Sequence, residues 1–519
     1  MARAPADPSQ QASRWVDWRV LALFALAALV LLAGNSATHV FDRDEARFAL
    51  AVREMSARSD WVLPTNWGEP RYHKPILAYW CALAAERVFG PHEFAWRLPS
   101  VLAGLVTLAA TLALARRHFG AEVALRAGAI LATTSVFVLE SKILTADVLL
   151  LATTTLAFWA WLELRAGSPR RFAWQLLFWT ALALGILAKG VNVVFLAAAA
   201  AGLCFLGIAR APEARSTRNR LLVVLAAASV LAAVPGLGLL GPVLFGGCAL
   251  FLWLRRAPSG QAAELGTAWG LPLCAVLVSV WAVPALLRSR GEFLSQGLGH
   301  HMLARSASPF EKHAGFPGYY LLTGVLALFP WALRIPAALR DAWRDPRCEF
   351  FLAWILGPWA LLECLASKLP HYPLVTLPAL AILIALHGAK RSLFMPLATA
   401  VALYLALGFV ALPLYEARRL TPRLGAEISR LVLPGEAIHV LDFRPASLGC
   451  VLPPGHRIVQ DPSSVAATDA ERAPGLYVVT AEREGELRAA GQAPFLPLGR
   501  VAGLDSLSRR EIALLRRTE

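Results

Sequence analysis

The chain has 519 residues, 57% of them hydrophobic and 16% charged, with a mean hydropathy of +0.54. A soluble chain would carry about 25% charged residues, so this surplus of apolar surface needs lipid and a wholly soluble protein is excluded. The formal net charge of +15 would suggest nucleic acid in a soluble protein, but here the Arg residues punctuate apolar runs instead of forming one patch, and the charge reads as membrane topology.

The first 18 residues are largely polar, with Arg14 followed closely by Arg19, and form a predicted cytoplasmic tail. The apolar stretch near Leu21 to Ala33 lacks an A-x-A-like cleavage site, which predicts a retained first span. A crossing helix needs about 20 mostly apolar residues, because unpaired amides in lipid are costly. On that rule spans are expected near 19–36, 97–115, 122–140, 147–164, 172–188, 190–209, 220–234, 237–254, 269–287, 319–334, 350–365, 372–388 and 393–413, about thirteen in all. Basic clusters at Arg14/Arg19, Arg116/Arg117/Arg126, Arg165/Arg170/Arg171, Arg210 to Arg220, Arg255/Arg256, Arg334 to Arg347 and Lys390/Arg391 fall on alternate connections, which predicts that these loops are cytoplasmic. An odd span number then places the C-terminus on the opposite, periplasmic face.

Between the first two spans, the outer loop 36–96 carries DEARFALAVREM and KPILAYWCALAAERVFG, which read as interfacial helices with Trp61, Trp67, Tyr79 and Trp80 at headgroup level. The predicted transmembrane domain covers 19–413. Beyond it, 414–519 reads as a small α/β domain, with strands in PGEAIHVLDF, HRIVQ and GLYVVT followed by a helix-like end. No internal repeat of the transporter kind is visible. The seven scattered Cys form neither a CxxC zinc pattern nor a disulfide framework.

Ionisable residues in or beside lipid are functional candidates by default. Asp44, Glu45, His73, Lys74, Asp147, Lys189, Arg305, Lys368 and His371 all fall on the predicted outer face. Lys74, Arg305 and Lys368 could neutralise a phosphate, and Asp44 could take a proton from an attacking hydroxyl. Each also has a bland reading. Asp44 could merely pair with Arg43 and Arg47 at a helix start, Asp147 could open a helix, Lys74 could snorkel, and Lys189 and Lys368 could serve solubility. His300, His301, His313 and His371 could make ordinary hydrogen bonds.

The stretch FDRDEARFALAVREMSARSDWVLPTNWGEPRYHKPILAYW resembles the first outer loop of the bacterial aminoarabinose and related lipid-linked glycosyltransferases, the protein mannosyltransferase-like family with the GT-C fold. Further matches are Arg97-Leu98-Pro99, Asp147, Leu187-Ala188-Lys189-Gly190, HAGFPGYYL and SKLPHYPLVTLPAL, so the likeness runs in order over about residues 1 to 390. The resemblance implies an all-α polytopic GT-C fold and a glycosyltransferase that moves a sugar, with inversion, from a polyprenyl (undecaprenyl) phosphate carrier to a lipid such as lipid A, a glycan or a protein, in the bacterial inner membrane. It implies that Asp44 is the catalytic acidic residue or positions the acceptor, that Asp147 supports it in the catalytic site, and that Lys74 and Arg305 bind the carrier phosphate; Glu45, Arg47, Lys368 and Tyr372 complete the expected substrate-binding set.

Two departures stand out. Ser59 replaces the family's Gly before Asp60-Trp61, and His73 replaces the Glu of Glu-Lys-Pro, which in the aminoarabinose enzymes belongs to a metal site. His73 with His300, His301 or His313 could still hold a divalent metal, and no cofactor is otherwise implied. A transporter or flippase for a lipid-linked sugar precursor is the competing reading, which would place charges near mid-membrane with paired broken helices.

Overall fold

A computed structural model describes residues 18–41, 44–211, 214–234, 237–256, 261–297, 315–388, 392–460, 474–489, 495–505 and 508–517. The chain resolves into two compact units, one made of Met1–Leu32, Tyr72–Ala78 and Leu98–Tyr404, the other of Ala33–Arg71, Tyr79–Arg97 and Leu405–Glu519.

The first unit is helical. All thirteen predicted span positions are helical in whole or in part. Among the described residues, seven helices are long and apolar enough to cross a membrane: Glu93–Phe119, Asp147–Arg165, Arg171–Ala188, Asn192–Ala209, Arg215–Ala233, Thr267–Arg288 and Phe394–Glu416. The predicted span at 122–140 is instead two helices, Ala121–Ala132 and Ser135–Lys142, bent by 62°. Trp18–Leu32, Leu240–Leu254 and Tyr372–Gly388 are shorter apolar helices.

Several threonines inside the spans bond within their own helices. Thr107, Thr111, Thr153 and Thr155 donate to the carbonyls of Ala103, Thr107, Leu149 and Leu151, one turn back, at 2.7–2.8 Å. Helices Asn192–Ala209 and Glu349–Glu363 touch backbone to backbone. A Cβ on Gly357 would strike the Ala198 carbonyl, and one on Gly202 would lie 3.0 Å from the Ala353 carbonyl. Small residues at a crossing allow this approach where lipid supplies no hydrophobic drive between helices.

The second unit contains helices Asp44–Arg58 and Leu77–Phe89, as the outer-loop sequence predicts, the latter beginning within the first unit. It also holds a five-stranded sheet. Its strands β3 (Ile438–Val440), β4 (Ile458–Gln460), β5 (Gly475–Thr480), β6 (Phe495–Asp505) and β7 (Ser508–Arg517) follow a two-residue hairpin, β1 (Thr65–Asn66) and β2 (Glu69–Pro70). The sheet order is β4-β3-β5-β7-β6, parallel around β3 and antiparallel around β7. Alternation sends Leu476, Val478, Ile512 and Leu514 to one face, under Leu420, Leu424 and Ile428 of helix Leu420–Leu431, and Tyr477, Val479, Ala513 and Leu515 to the other.

The predicted helix-like end is therefore corrected. A helix does follow β5, at Ala481–Ala489, but the last described residues form the β6–β7 hairpin. Ile512 to Leu515 is a four-residue apolar run, and such a run cannot be told from a buried helix by periodicity alone; it is strand because β7 lies between two partners.

Arg53 ties the outer-loop helix to the C-terminal segment by donating to the carbonyls of Gly449, Cys450 and Leu452 at 2.5–2.8 Å, three acceptors at the end of helix Ala446–Val451.

Candidate functional site

Within the first unit, helix ends assemble a cavity of about 510 Å³. Asp147 is the first residue of helix Asp147–Arg165, and its carboxylate is turned to the ammonium of Lys189. Lys189 stands in the tight turn between helices Arg171–Ala188 and Asn192–Ala209. The amides of Lys189 and Gly190 both return to the Gly185 carbonyl, and Gly190 has φ +78°, a conformation that favours glycine. Buried Asn192 braces the turn by donating to the Leu182 carbonyl at 2.9 Å.

His371 lies between two carboxylates, with Nδ1 3.5 Å from Glu140 and Nε2 3.7 Å from Asp147. The Lys189 ammonium also sits 5.1 Å from the Tyr372 ring centroid. Burial opposes the charge on Lys189, but Asp147 and Tyr372, with Glu140, more than offset it and hold the ammonium above the ordinary lysine range.

His73 and Lys74, just before helix Leu77–Phe89, complete the charged wall. One turn inside the spans the lining becomes apolar, with Leu150, Ile186, Val194 and Phe195 beneath the charged helix ends. Trp281 and Phe293 pack edge-on at 4.8 Å on another side, and Tyr72 donates to Glu292 at 3.2 Å. Burial, with Glu292 next, pushes the Tyr72 phenol up. The product is one cavity with a charged rim and an apolar floor, suited to a ligand that is anionic at one end and hydrocarbon at the other.

Of the predicted site residues, Asp147, Lys74, His73 and Tyr372 share this cavity. Lys368 is elsewhere in the first unit, fully buried, donating to Glu363 at 2.8 Å and to the Phe316 carbonyl at 3.3 Å. Glu363 also receives the Gly318 and Tyr320 amides at the start of helix Tyr319–Ala327, so this ion pair anchors a helix end.

Asp44, Glu45 and Arg47 belong to the second unit. Asp44 is exposed at the first turn of helix Asp44–Arg58, 3.8 Å from Arg47. Glu45 is buried and held by Arg97 at 2.7 and 2.9 Å. Arg305, His300, His301 and His313 lie outside the described residues. Tyr72, Trp281 and Phe293, which line the cavity, and Glu140, which reaches His371, were not singled out from the sequence, because neither a ring nor an acid carries a local mark of what it meets in space.

By its fold the protein is a polytopic membrane protein of the GT-C class. Residues 73–238 match the profile of the family described as dolichyl-phosphate-mannose-protein mannosyltransferase. Among curated relatives, the undecaprenyl phosphate-alpha-4-amino-4-deoxy-L-arabinose arabinosyl transferase of Pseudomonas paraeruginosa is 28% identical, over 72% of this chain and 59% of the relative. The transferase of the same name from Edwardsiella ictaluri is 26% identical, over 71% and 58%.

The chain thus spans just under three fifths of the length of these relatives. The crystal structure of ArnT from Cupriavidus metallidurans bound to undecaprenyl phosphate superposes with a TM-score of 0.69 at 19% identity, covering 95% of this chain and 97% of that one. The GT-C fold read from the sequence is borne out by this superposition, and the chain is similar in sequence to these arabinosyl transferases, as the outer-loop motifs led one to expect.

Proposed function

We propose that the protein is an inverting glycosyltransferase of the bacterial inner membrane that moves a sugar from a polyprenyl phosphate carrier to an acceptor hydroxyl, with lipid A among the acceptor candidates. The observation that carries this reading is the cavity whose charged rim of Lys74, Asp147, Lys189 and His371 lies above an apolar floor. The relatives' shared use of an undecaprenyl phosphate donor, as their names state, supports it.

In the reaction the acceptor oxygen bonds to the anomeric carbon as the carbon–oxygen bond to the carrier phosphate breaks, and the carrier phosphate leaves as an anion. Negative charge grows on that phosphate, so fixed cations next to it supply the largest stabilisation available. Lys74 is assigned this role, with Arg305 as its second clamp.

Asp147 is held by Lys189, and a carboxylate already shared with an ammonium is a poor proton acceptor. We therefore assign Asp147 to positioning and field, and Asp44, exposed at its helix start, to accepting the hydroxyl proton. The proposed orientation has the basic loops cytoplasmic and the reaction on the periplasmic face.

The test is transfer from a panel of radiolabelled polyprenyl phosphate sugars in membranes that hold equal amounts of wild type, Asp44→Asn and Lys74→Ala. Wild type should release one sugar from its carrier, with Lys74→Ala slower by about 100-fold or more. Carrier crossing the bilayer without sugar release would replace the enzyme reading with a flippase.

A further inference from the structure

Asp345, Cys348 and His387 form a second cluster, in the first unit and apart from the cavity lining. Each offers one ligand atom, and all three atoms lie within 4.8 Å of one another. Cys348 Sγ is 3.4 Å from His387 Nε2, and that nitrogen is 3.7 Å from Asp345 Oδ2. Ligands bonded to a tetrahedral zinc ion at about 2.0–2.3 Å are separated from each other by roughly 3.2–3.8 Å. Both separations fall in that window with no side chain moved.

The local structure presents these atoms from two directions. Asp345 caps and Cys348 ends the 3-10 turn Pro346–Cys348, which follows the amphipathic helix Ile335–Arg344. His387 comes from Ile384–Gly388, a π-helical turn that closes the helix begun at Leu377. Wide turns of this kind often occur where a helix must aim a functional side chain.

Arg347 does not block the site. Its amide donates to Asp345 at 3.0 Å and its guanidinium makes three contacts at 2.8–3.2 Å, which together fill the carboxylate's four or so lone-pair directions, but the Arg347 side chain is 67% exposed and can turn out to water when an ion takes Oδ2. Hydrogen bonds to a ligating carboxylate are the usual outer support that fixes its direction. As a free thiol Cys348 is held neutral, since burial and then Asp345 push it up to about 12.

We propose that Asp345, Cys348 and His387 bind a divalent transition ion, zinc by donor chemistry, with water as the fourth ligand. Thiolate and imidazole exclude magnesium and calcium, which require oxygen. Binding replaces the thiol proton, which passes to solvent, and leaves a sulfur–metal bond. The ion staples the loop at 345–348 to the helix end at 387, residues about 40 positions apart in the chain. Nothing in this proposal depends on the glycosyltransferase reading.

The test uses the full chain in detergent, stripped with chelator and titrated with cobalt(II), for wild type, Cys348→Ser, His387→Gln and, as a control, Cys364→Ser, which alters another buried cysteine. Wild type and Cys364→Ser should take up one cobalt with thiolate-to-metal charge transfer in the near ultraviolet and tetrahedral bands in the visible, both abolished by zinc. Cys348→Ser should lose the charge-transfer band, and both ligand variants should bind at least about tenfold more weakly. The wild-type thermal midpoint should rise with zinc and the two ligand variants' should not. The proposal fails if wild type shows no thiolate band, or if Cys348→Ser and His387→Gln bind cobalt as wild type does.

Discussion

Arg97 shows how a single charge can organise the second unit. It is 2% exposed, yet its donors are met by both oxygens of Glu45 and by the carbonyls of Asn35 and Thr38 at 2.6–2.9 Å. Glu45 in turn receives the Phe41 amide at 2.8 Å, so the pair closes the chain around the start of helix Asp44–Arg58. Arg97→Met would leave that carboxylate buried without its cation, at a cost of about 3–5 kcal/mol. The variant should show a clearly lower thermal midpoint in detergent, and Arg97→Met with Glu45→Leu should recover part of the loss. An unchanged midpoint in the single variant would refute this account. The sequence marks Arg97 through its Leu98-Pro99 neighbours and Glu45 through Asp44, but pairing across 52 residues leaves no local trace. Expecting Glu45 at the substrate follows from its place in the motif, and its burial against Arg97 follows only from the fold.

At the scale of elements, the apolar runs specify where helices form and the small residues specify which of them touch. Gly202 and Gly357 let helices Asn192–Ala209 and Glu349–Glu363 meet at backbone distance. Gly357→Leu should force them apart and lower the yield of folded protein in a gel-filtration profile. Gly207→Leu, at a position where an added Cβ meets nothing within 4 Å, should behave as wild type. Equal profiles for the two variants would show that the crossing is not a packing constraint. The 62° bend between Ala132 and Ser135 was not legible, because hydropathy averages across Thr133-Thr134, while those threonines return to the carbonyls of their own helix. Strand β7 was missed for a related reason: its identity depends on β5 and β6, which flank it on both sides.

For the whole molecule, alternate basic loops predict one orientation. An alkaline phosphatase fused after Glu519 should be active, since that reporter folds only after export, whereas a fusion within the 165–171 loop should be inactive. The reverse pattern would invert the orientation and move the proposed reaction to the cytoplasmic face. The cavity itself is a property of this scale, since its rim comes from four connections spread between His73 and Tyr372.

Composition by itself determined that the chain lives in lipid, because 57% hydrophobic residues have no other solvent. Short motifs in order fixed the GT-C resemblance and marked Lys74, Asp147 and Tyr372, which the fold gathers in one cavity. Only the tertiary structure decided which charges serve that cavity and which hold the protein together. Lys189 meets Asp147 there, whereas Lys368 is taken by Glu363 and Glu45 by Arg97. The physical reason is common to all three pairs: a charge removed from water must find its partner in space, and distance along the chain does not say where that partner will be.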